Sequence, residues 1–142
     1  MKRSFIFLLT MLWGCSDPNP DIASKFVGKY ICEQQSPSES VHTTWEIWQD
    51  KYKDKIKINI TVKTDFTQAG KADQVESLSV DSVLVDSEFT LRFNNKYKGT
   101  ETGRMIYGQA TLVAKQTLDA DITIVNEQGV RDSKILKFAK TR

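Results

Sequence analysis

Apolar and polar side chains alternate along most of the chain from about residue 26 onward. The clearest segment is residues 55–63, whose odd positions are polar and whose even positions are Ile56, Ile58, Ile60 and Val62. Side chains of a β-strand point to opposite faces in turn, so this period of two predicts a half-buried strand. Almost no stretch shows the spacing of about 3.6 residues that an amphipathic helix requires. The pattern therefore predicts an all-β domain.

Seven further segments follow the same rhythm: Phe26–Cys32, Val41–Gln49, Val75–Val85, Phe89–Asn94, Met105–Ala114, Leu118–Ile124 and Leu136–Phe138. A change of phase between Val80 and Val83 indicates a β-bulge. Short connections at 86–87, 114–116 and 126–129 suit hairpins, and longer loops are predicted at 34–40, 64–73 and 94–103. About eight antiparallel strands joined in this way predict an up-and-down barrel, with a β-sandwich as the alternative.

The first 15 residues have a different pattern. Lys2 and Arg3 precede an apolar run that starts at Phe5 and ends at Trp13, and Gly14-Cys15 follows. The run is shorter than the roughly 20 apolar residues of a membrane-spanning helix. A positive start, an apolar run and then small residues form the layout of a secretory signal. A buried N-terminal core helix is the alternative.

Leu12-Trp13-Gly14-Cys15 resembles the lipobox of bacterial lipoproteins, in which an apolar residue stands three places before the cysteine and a small residue immediately before it. The resemblance implies that Cys15 carries a diacylglyceryl group and that the new amino terminus is acylated, for example with palmitate. It also implies a lipid-anchored protein of the cell envelope, at the outer membrane, on its periplasmic or its surface face. Two or more acyl chains on one residue anchor a protein stably.

Three parts of the chain follow from these patterns: a signal peptide at 1–14, a lipidated cysteine with a flexible tether at 15–25, and a single all-β domain at 26–142. Residues 16–21 contain two prolines, two acids and no large apolar side chain, which suits an extended tether. The chain has 20 basic and 18 acidic residues, and the leader contains Lys2, Arg3 and no acid. The remaining charges balance, so no nucleic-acid partner is expected.

Gly28-Lys29-Tyr30 on the first strand resembles the Gly-x-Trp of lipocalins and related calycin barrels. In that family a basic residue of the last strand packs over the aromatic ring, and the resemblance implies this role for Lys137 or Lys134. It also implies a lipocalin-like barrel whose interior can hold one small ligand. The alternative is a strand glycine that simply lets the backbone bend.

No catalytic motif is present: the chain has no Gly-x-Ser-x-Gly, no phosphate-cradling glycine loop and no His-Glu-x-x-His. The single histidine is His42, and Cys32 is the one thiol that remains once Cys15 is lipidated. A Cys15–Cys32 disulfide is the alternative use of the two cysteines. Asp119 and Asp121 share a strand face that we expect to be solvated. The chain is therefore predicted to be no enzyme and to hold no metal and no cofactor.

Three aromatic residues are candidates for binding a ligand or a partner: Trp48, Tyr30 and Trp45. Trp48 lies on the polar face opposite Trp45, where an exposed tryptophan can stack on a sugar or anchor a partner protein. The alternatives are that Trp48 covers a neighbouring loop or that the phase of the strand is reversed. Gly108 and Ala110 are small residues on an inward face, and we expect them to leave room for a ligand.

These observations predict a lipid-anchored, non-enzymatic envelope protein whose small β-barrel binds a small apolar molecule, a glycan or an envelope protein. The alternative is an inhibitor or assembly accessory that acts through its surface. Lipid-anchored lysozyme inhibitors are small β-barrel lipoproteins, and Tyr30-Ile31-Cys32 resembles their Tyr-x-Cys start.

Overall fold

The computed structural model describes residues 21–99 and 103–142, which form a closed antiparallel β-barrel. The signal peptide and Cys15 predicted from the sequence lie outside these residues. The strands are β1 (Gly28–Gln35), β2 (Glu39–Gln49), β3 (Lys55–Phe66), β4 (Gln74–Ser87), β5 (Thr90–Gly99), β6 (Met105–Ala114), β7 (Thr117–Val125) and β8 (Arg131–Lys140). Each strand pairs with the next, and β8 pairs with β1 to complete the ring. The predicted up-and-down barrel is confirmed, and the β-sandwich is excluded.

The observed strand limits agree best with the predicted limits where the inward-facing residues of a strand are apolar. The β6 limits match the prediction, but β8 starts at Arg131 and β5 continues to Gly99, through residues predicted to be a loop. In this part of β5 the inward positions are Asn95 and Tyr97, so the apolar alternation fades before the strand ends. The Asn95 amide instead donates to the backbone oxygen of Asp81 at 2.9 Å, which fixes it against β4.

The barrel interior is filled by the apolar face of each strand, as the alternation predicts. Its largest fully buried side chains are Trp45, Tyr30, Phe26, Phe138, Ile47, Ile56, Ile58, Leu91, Ile106 and Leu118. Phe89 is an exception, because it lies in the turn between β4 and β5 and is 57% exposed. The alternation predicted a strand that starts at Phe89, with Phe89 in phase with Leu91 and Phe93, and this was wrong for Phe89.

The change of phase in β4 is a bulge, as predicted. The pairing register of β4 with β5 shifts between Val80 and Leu84, and Ser82 adopts a positive φ of 55°. As a result, Val80 and Val83 both face the interior while Leu84 faces outward. The Ser82 hydroxyl donates to Asp50 Oδ2 at 3.2 Å, which ties the bulge to the turn between β2 and β3.

The two ends of the barrel differ. One end of the barrel, at which β2, β4 and β6 terminate, is named the closed end. A 3-10 helix (Ala23–Phe26) covers this end, and its residues Ala23 and Phe26 are completely buried. This helix overlaps the segment 15–25 that the sequence assigns to the tether. We call the other end, which carries the β1–β2, β3–β4, β5–β6 and β7–β8 connections, the open end. No helix within residues 21–99 and 103–142 is long and apolar enough to cross a membrane.

Lys140 is the basic residue that packs over Tyr30, with its Nζ 5.4 Å from the ring centroid. The expectation of Lys137 or Lys134 was wrong because β8 extends to residue 140 and places Lys140 opposite Tyr30. Lys137 faces outward, and Lys134 lies near the open end. Burial raises the pKa of the Tyr30 phenol.

Candidate ligand site at the open end of the barrel

A cavity of about 200 Å³ opens at the open end of the barrel. Its deeper walls are apolar and buried, and they comprise Trp45, Ile60, Leu78, Ile122 and Leu136. Small-molecule sites in proteins usually measure about 300–1,000 Å³. The cavity therefore suits a compact small molecule, or one apolar part of a larger molecule that enters from the mouth.

Trp45 forms the floor of this cavity. It is the deepest β2 residue in the lining, which also includes Val41 and Thr43 from the same strand. The Trp45 ring packs edge-on against Phe93, with centroids 5.6 Å apart, and lies 4.5 Å from the ring of Phe138. Aromatic pairs prefer offset or edge-to-face arrangements and contribute about 0.5–1.5 kcal/mol beyond their buried area. The floor is thus an aromatic surface supported by two ring contacts.

Polar side chains line the mouth, in register with the apolar positions deeper in the same strands. They are Gln34, Glu76, Arg104, Asn126, Asp132 and Lys134. Arg104 Nη1 lies 3.3 Å from Glu76 Oε1, and Lys134 Nζ lies 3.2 Å from Asp132 Oδ2. The charges of these four side chains balance, so the rim offers both hydrogen-bond donors and acceptors without a strong net potential.

Tyr97 lies between the apolar walls and this rim. It is almost completely buried, and burial is the main reason that the pKa of its phenol is raised. The charge of the Arg104 guanidinium lowers the pKa of the phenol, and the charge of the Glu76 carboxylate raises it. Tyr97 is protonated at neutral pH, as an unperturbed tyrosine also is, and it contributes a neutral side chain to the cavity lining.

The structure separates the three aromatic candidates. Tyr30 and Trp45 are opposite each other on β1 and β2 and are both buried, but of the two only Trp45 lines the cavity. Trp48 lies on the outer face near the end of β2 and is 42% exposed. The functional roles predicted for these residues remain predictions.

Gly108 and Ala110 do not supply the space for a ligand, contrary to expectation. Neither residue lines the cavity, because both lie in the middle of β6 rather than at the open end. Gly108 has φ +120°, and a Cβ there would overlap the carbonyl oxygen of Asp121 on β7. The glycine thus permits close approach of two strands.

Sequence reasoning did not single out Glu76, Tyr97 and Arg104, and it considered Lys134 in another role. A usable signal existed for two of them, since Glu76 is in phase with Leu78, and Lys134 is in phase with Leu136 and Phe138. If the alternation of inward and outward positions had been extended to the strand ends, Glu76 and Lys134 would have been predicted to face the barrel interior. Tyr97 was missed because residues 94–103 were predicted to be a loop, and Arg104 because it lies between that loop and the predicted strand that starts at Met105.

Other reactive groups lie away from the cavity. Asp119 and Asp121 are on the outer face of β7, as predicted, and Cys32 is a buried free cysteine. Within the part of the chain that the structure describes, no group of three or more His, Cys, Asp or Glu residues is arranged to hold a metal ion.

No family model matches the chain, and a search of curated proteins gave no significant match. Among solved structures, the chain is similar to a de novo designed fluorescence-activating β-barrel. The two share 17% sequence identity over 86% of this chain and 99% of that chain, with a TM-score of 0.46. This similarity says nothing about the ligand of the present chain.

Proposed function

We propose that this chain is a lipid-anchored, non-enzymatic binding protein of the cell envelope that takes up a small apolar molecule through the open end of its barrel. The observation that carries the binding role is the open-end cavity, with its Trp45 floor, apolar walls and polar mouth. The anchoring role is supported by the leader sequence and by the resemblance of residues 12–15 to a lipobox.

The cavity selects its ligand by size and by charge. Apolar surface removed from water contributes about 25 cal/mol per Å², so the buried walls favour a compact apolar body. At the mouth, each cation faces an acid, Arg104 with Glu76 and Lys134 with Asp132. An ion carrying net charge would have to compete with these pairs. We therefore propose a ligand whose polar group is neutral or zwitterionic.

The side chains around the cavity favour binding over catalysis. Nucleophilic catalysis needs a nucleophile within hydrogen-bond reach of a base. The described residues that line the cavity include no histidine and no cysteine, and the Tyr97 phenol has a raised pKa and stays protonated. The two carboxylates of the lining, Glu76 and Asp132, each lie against a cation, Arg104 or Lys134. This set of side chains favours holding a molecule over activating one.

Titration with the apolar fluorophore N-phenyl-1-naphthylamine tests the binding site. Ile124→Trp places a bulky ring in the cavity lining, and Ile135→Trp makes the same change on the outer face, where Ile135 is 72% exposed. We expect Ile124→Trp to weaken binding at least tenfold, about 1.4 kcal/mol, and Ile135→Trp to leave it unchanged. Equal affinities for both variants and the wild type would overturn the cavity as the binding site.

Mass analysis of the membrane-extracted amino terminus tests the anchor independently. The wild type is expected to begin at Cys15 and to carry a diacylglyceryl group, whereas Cys15→Ala is expected to keep its leader and to carry no lipid. An unmodified Cys15 would overturn the anchor and leave the binding proposal standing.

A further inference from the structure

Exposed aromatic residues concentrate at the closed end of the barrel. Four aromatic side chains of the described residues are substantially exposed: Trp48, Tyr52, Phe89 and Tyr107. Trp48 is next to the last residue of β2, Tyr52 lies in the turn between β2 and β3, and Phe89 lies in the turn between β4 and β5. Tyr107 alone of the four lies toward the open end, near the start of β6.

Lysines accompany these aromatic residues. The ammonium groups of Lys51 and Lys55 lie 4.9 and 5.0 Å from the ring centroid of Tyr52, and that of Lys25 lies 5.9 Å from the centroid of Phe89. A shallow apolar hollow adjoins Phe89 and is lined by Lys25, Leu112, Val113, Ala114 and Lys115. Lysine stems can lie along apolar surface while their ammonium groups stay solvated.

The chain that leads to Cys15 also leaves the barrel at this end. Asp21 Oδ1 accepts hydrogen bonds from the Ser24 backbone at 3.2 Å and from Gln49 Nε2 at 2.9 Å, which places Asp21 beside the last residue of β2. Cys15 precedes Asp21 by six residues. Six residues span at most about 20 Å, since an extended chain covers roughly 3.3–3.6 Å per residue. A lipid on Cys15 therefore holds the closed end close to the bilayer.

We propose that the closed end rests on the membrane surface, with Trp48, Tyr52 and Phe89 at the level of the lipid headgroups. This inference rests on the lipid anchor of the proposed function. Tryptophan and tyrosine are enriched at membrane interfaces because one part of the ring system is apolar and another is polar. The helix and turns of the closed end, at residues 21–27, 50–54, 88–89 and 115–116, carry four acids and four lysines: Asp21, Asp50, Asp54 and Glu88, and Lys25, Lys51, Lys53 and Lys115. Lys55, at the first position of β3, adds one positive charge, so the charge of this end is nearly balanced. Aromatic insertion, more than attraction to anionic lipid, stabilises the contact.

This orientation turns the open end of the barrel away from the membrane. The cavity mouth, with Arg104, Glu76, Asp132 and Lys134, then faces the aqueous side. The ligand accordingly exchanges with the aqueous compartment or with a partner protein, and not with the bilayer that holds the anchor.

Depth-dependent quenching tests the orientation in the lipidated protein. The protein is extracted from membranes and reconstituted in vesicles of phosphatidylethanolamine and phosphatidylglycerol that contain doxyl-labelled lipid. Trp48→Cys, Phe89→Cys and Tyr107→Cys are labelled with a polarity-sensitive fluorophore in a Cys32→Ala background. Tyr107 is the matched control, because it has the same exposed fraction as Trp48, 42%.

We expect the doxyl lipids to quench labels at 48 and 89 several-fold more than the label at 107. Equal quenching at the three positions, in protein that floats with the vesicles, would overturn the orientation and leave the anchor intact. Protein that does not float with the vesicles would overturn the anchor, and the orientation with it. Circular dichroism and thermal unfolding of each labelled variant verify that the barrel is folded.

Discussion

The ammonium group of Lys140 lies over the ring of Tyr30 at the seam where the last strand meets the first. This seam is short, since the register pairs only Tyr30 with Lys140 and Ile31 with Ala139. Lys140 Nζ also donates to the carbonyl oxygen of Val27 at 2.6 Å. A Cβ at Gly28 would collide with Lys140 Cε, so the glycine makes room for this side chain. Side-chain contacts thus supplement a short ladder in closing the barrel.

Replacing Lys140 with methionine is therefore expected to destabilise the barrel. The change keeps an apolar stem and removes the cation–π contact and the charged hydrogen bond, which together contribute about 1–3 kcal/mol. The free energy of unfolding in urea measures the loss. Lys137→Met, on the outer face of the same strand, is the control and should change stability by less than about 0.5 kcal/mol. Equal effects of the two substitutions would contradict a role of Lys140 in closing the seam.

At position 82, glycine is expected to destabilise the barrel less than alanine, because the φ of Ser82 is 55°. A residue with a Cβ adopts this region at a cost of roughly 1–2 kcal/mol, part of which glycine loses again through its unfolded-state entropy. Ser82→Gly should thus be about 1 kcal/mol more stable than Ser82→Ala, while both lose the hydroxyl contact with Asp50.

Ser79, in a regular part of β4, is the control for the bulge. There the order should reverse, with Ser79→Ala more stable than Ser79→Gly by about 0.5–1 kcal/mol, since glycine is unfavourable within a strand. Chemical denaturation of the four variants measures the difference in stability between glycine and alanine at each position and so checks the predicted sign at both. The same order at both positions would argue against strain at Ser82.

Trp45→Ala and Trp48→Ala should differ strongly in stability, because one ring is buried in the barrel and the other is on its outer face. Removal of a buried tryptophan usually costs about 3–5 kcal/mol, and Trp45 additionally loses its contacts with Phe93 and Phe138. Trp48→Ala should cost less than about 1 kcal/mol. Urea unfolding gives both values. Comparable losses would show that the side-chain alternation along β2 is misassigned.

Asp81 is expected to make the stability of the barrel depend on pH. The hydrogen bond from Lys98 is the main cause that lowers the pKa of the Asp81 carboxyl, and Lys57 also contributes through its charge. Since the pKa is lower in the folded state, the stabilisation is present above the ordinary Asp value of about 3.9 and is lost as the pH falls below it.

Asp81→Asn should accordingly be less stable than the wild type near neutral pH, and the difference should shrink as the pH falls from about 6 to 3. The free energy of unfolding is measured across this range for the wild type, Asp81→Asn and Lys98→Met. The Lys98→Met variant should show a smaller loss of stability on acidification than the wild type. A difference between wild type and Asp81→Asn that does not vary with pH would contradict this assignment.

Most of the fold could be predicted from the sequence. Each strand of the barrel has one face toward the interior and one toward solvent, so apolar and polar residues alternate with a strict period of two. The even positions of β3 and the bulge after Val80 were visible in the apolar pattern alone. The ends of β5 and β8 were not, because their inward positions there are Asn95, Asp132 and Lys134. Such residues continue the strand without continuing the apolar signal.

The candidate site was less predictable for the same reason. A cavity mouth needs inward polar side chains, and these interrupt the pattern that identifies a strand. Trp45 was found because it is apolar and in phase, whereas Tyr97 was assigned to a loop and Arg104 to no strand. The partner of Tyr30 depended on the register of β8 against β1, which no local pattern determines.

Native mass spectrometry of the protein purified from its own host tests the binding role most directly. We expect the wild type and Ile135→Trp to retain a small molecule beyond the mass of the lipidated chain, and Ile124→Trp to lose it. A wild-type protein whose mass equals that of the lipidated chain alone would contradict the proposal that the barrel carries a small apolar ligand.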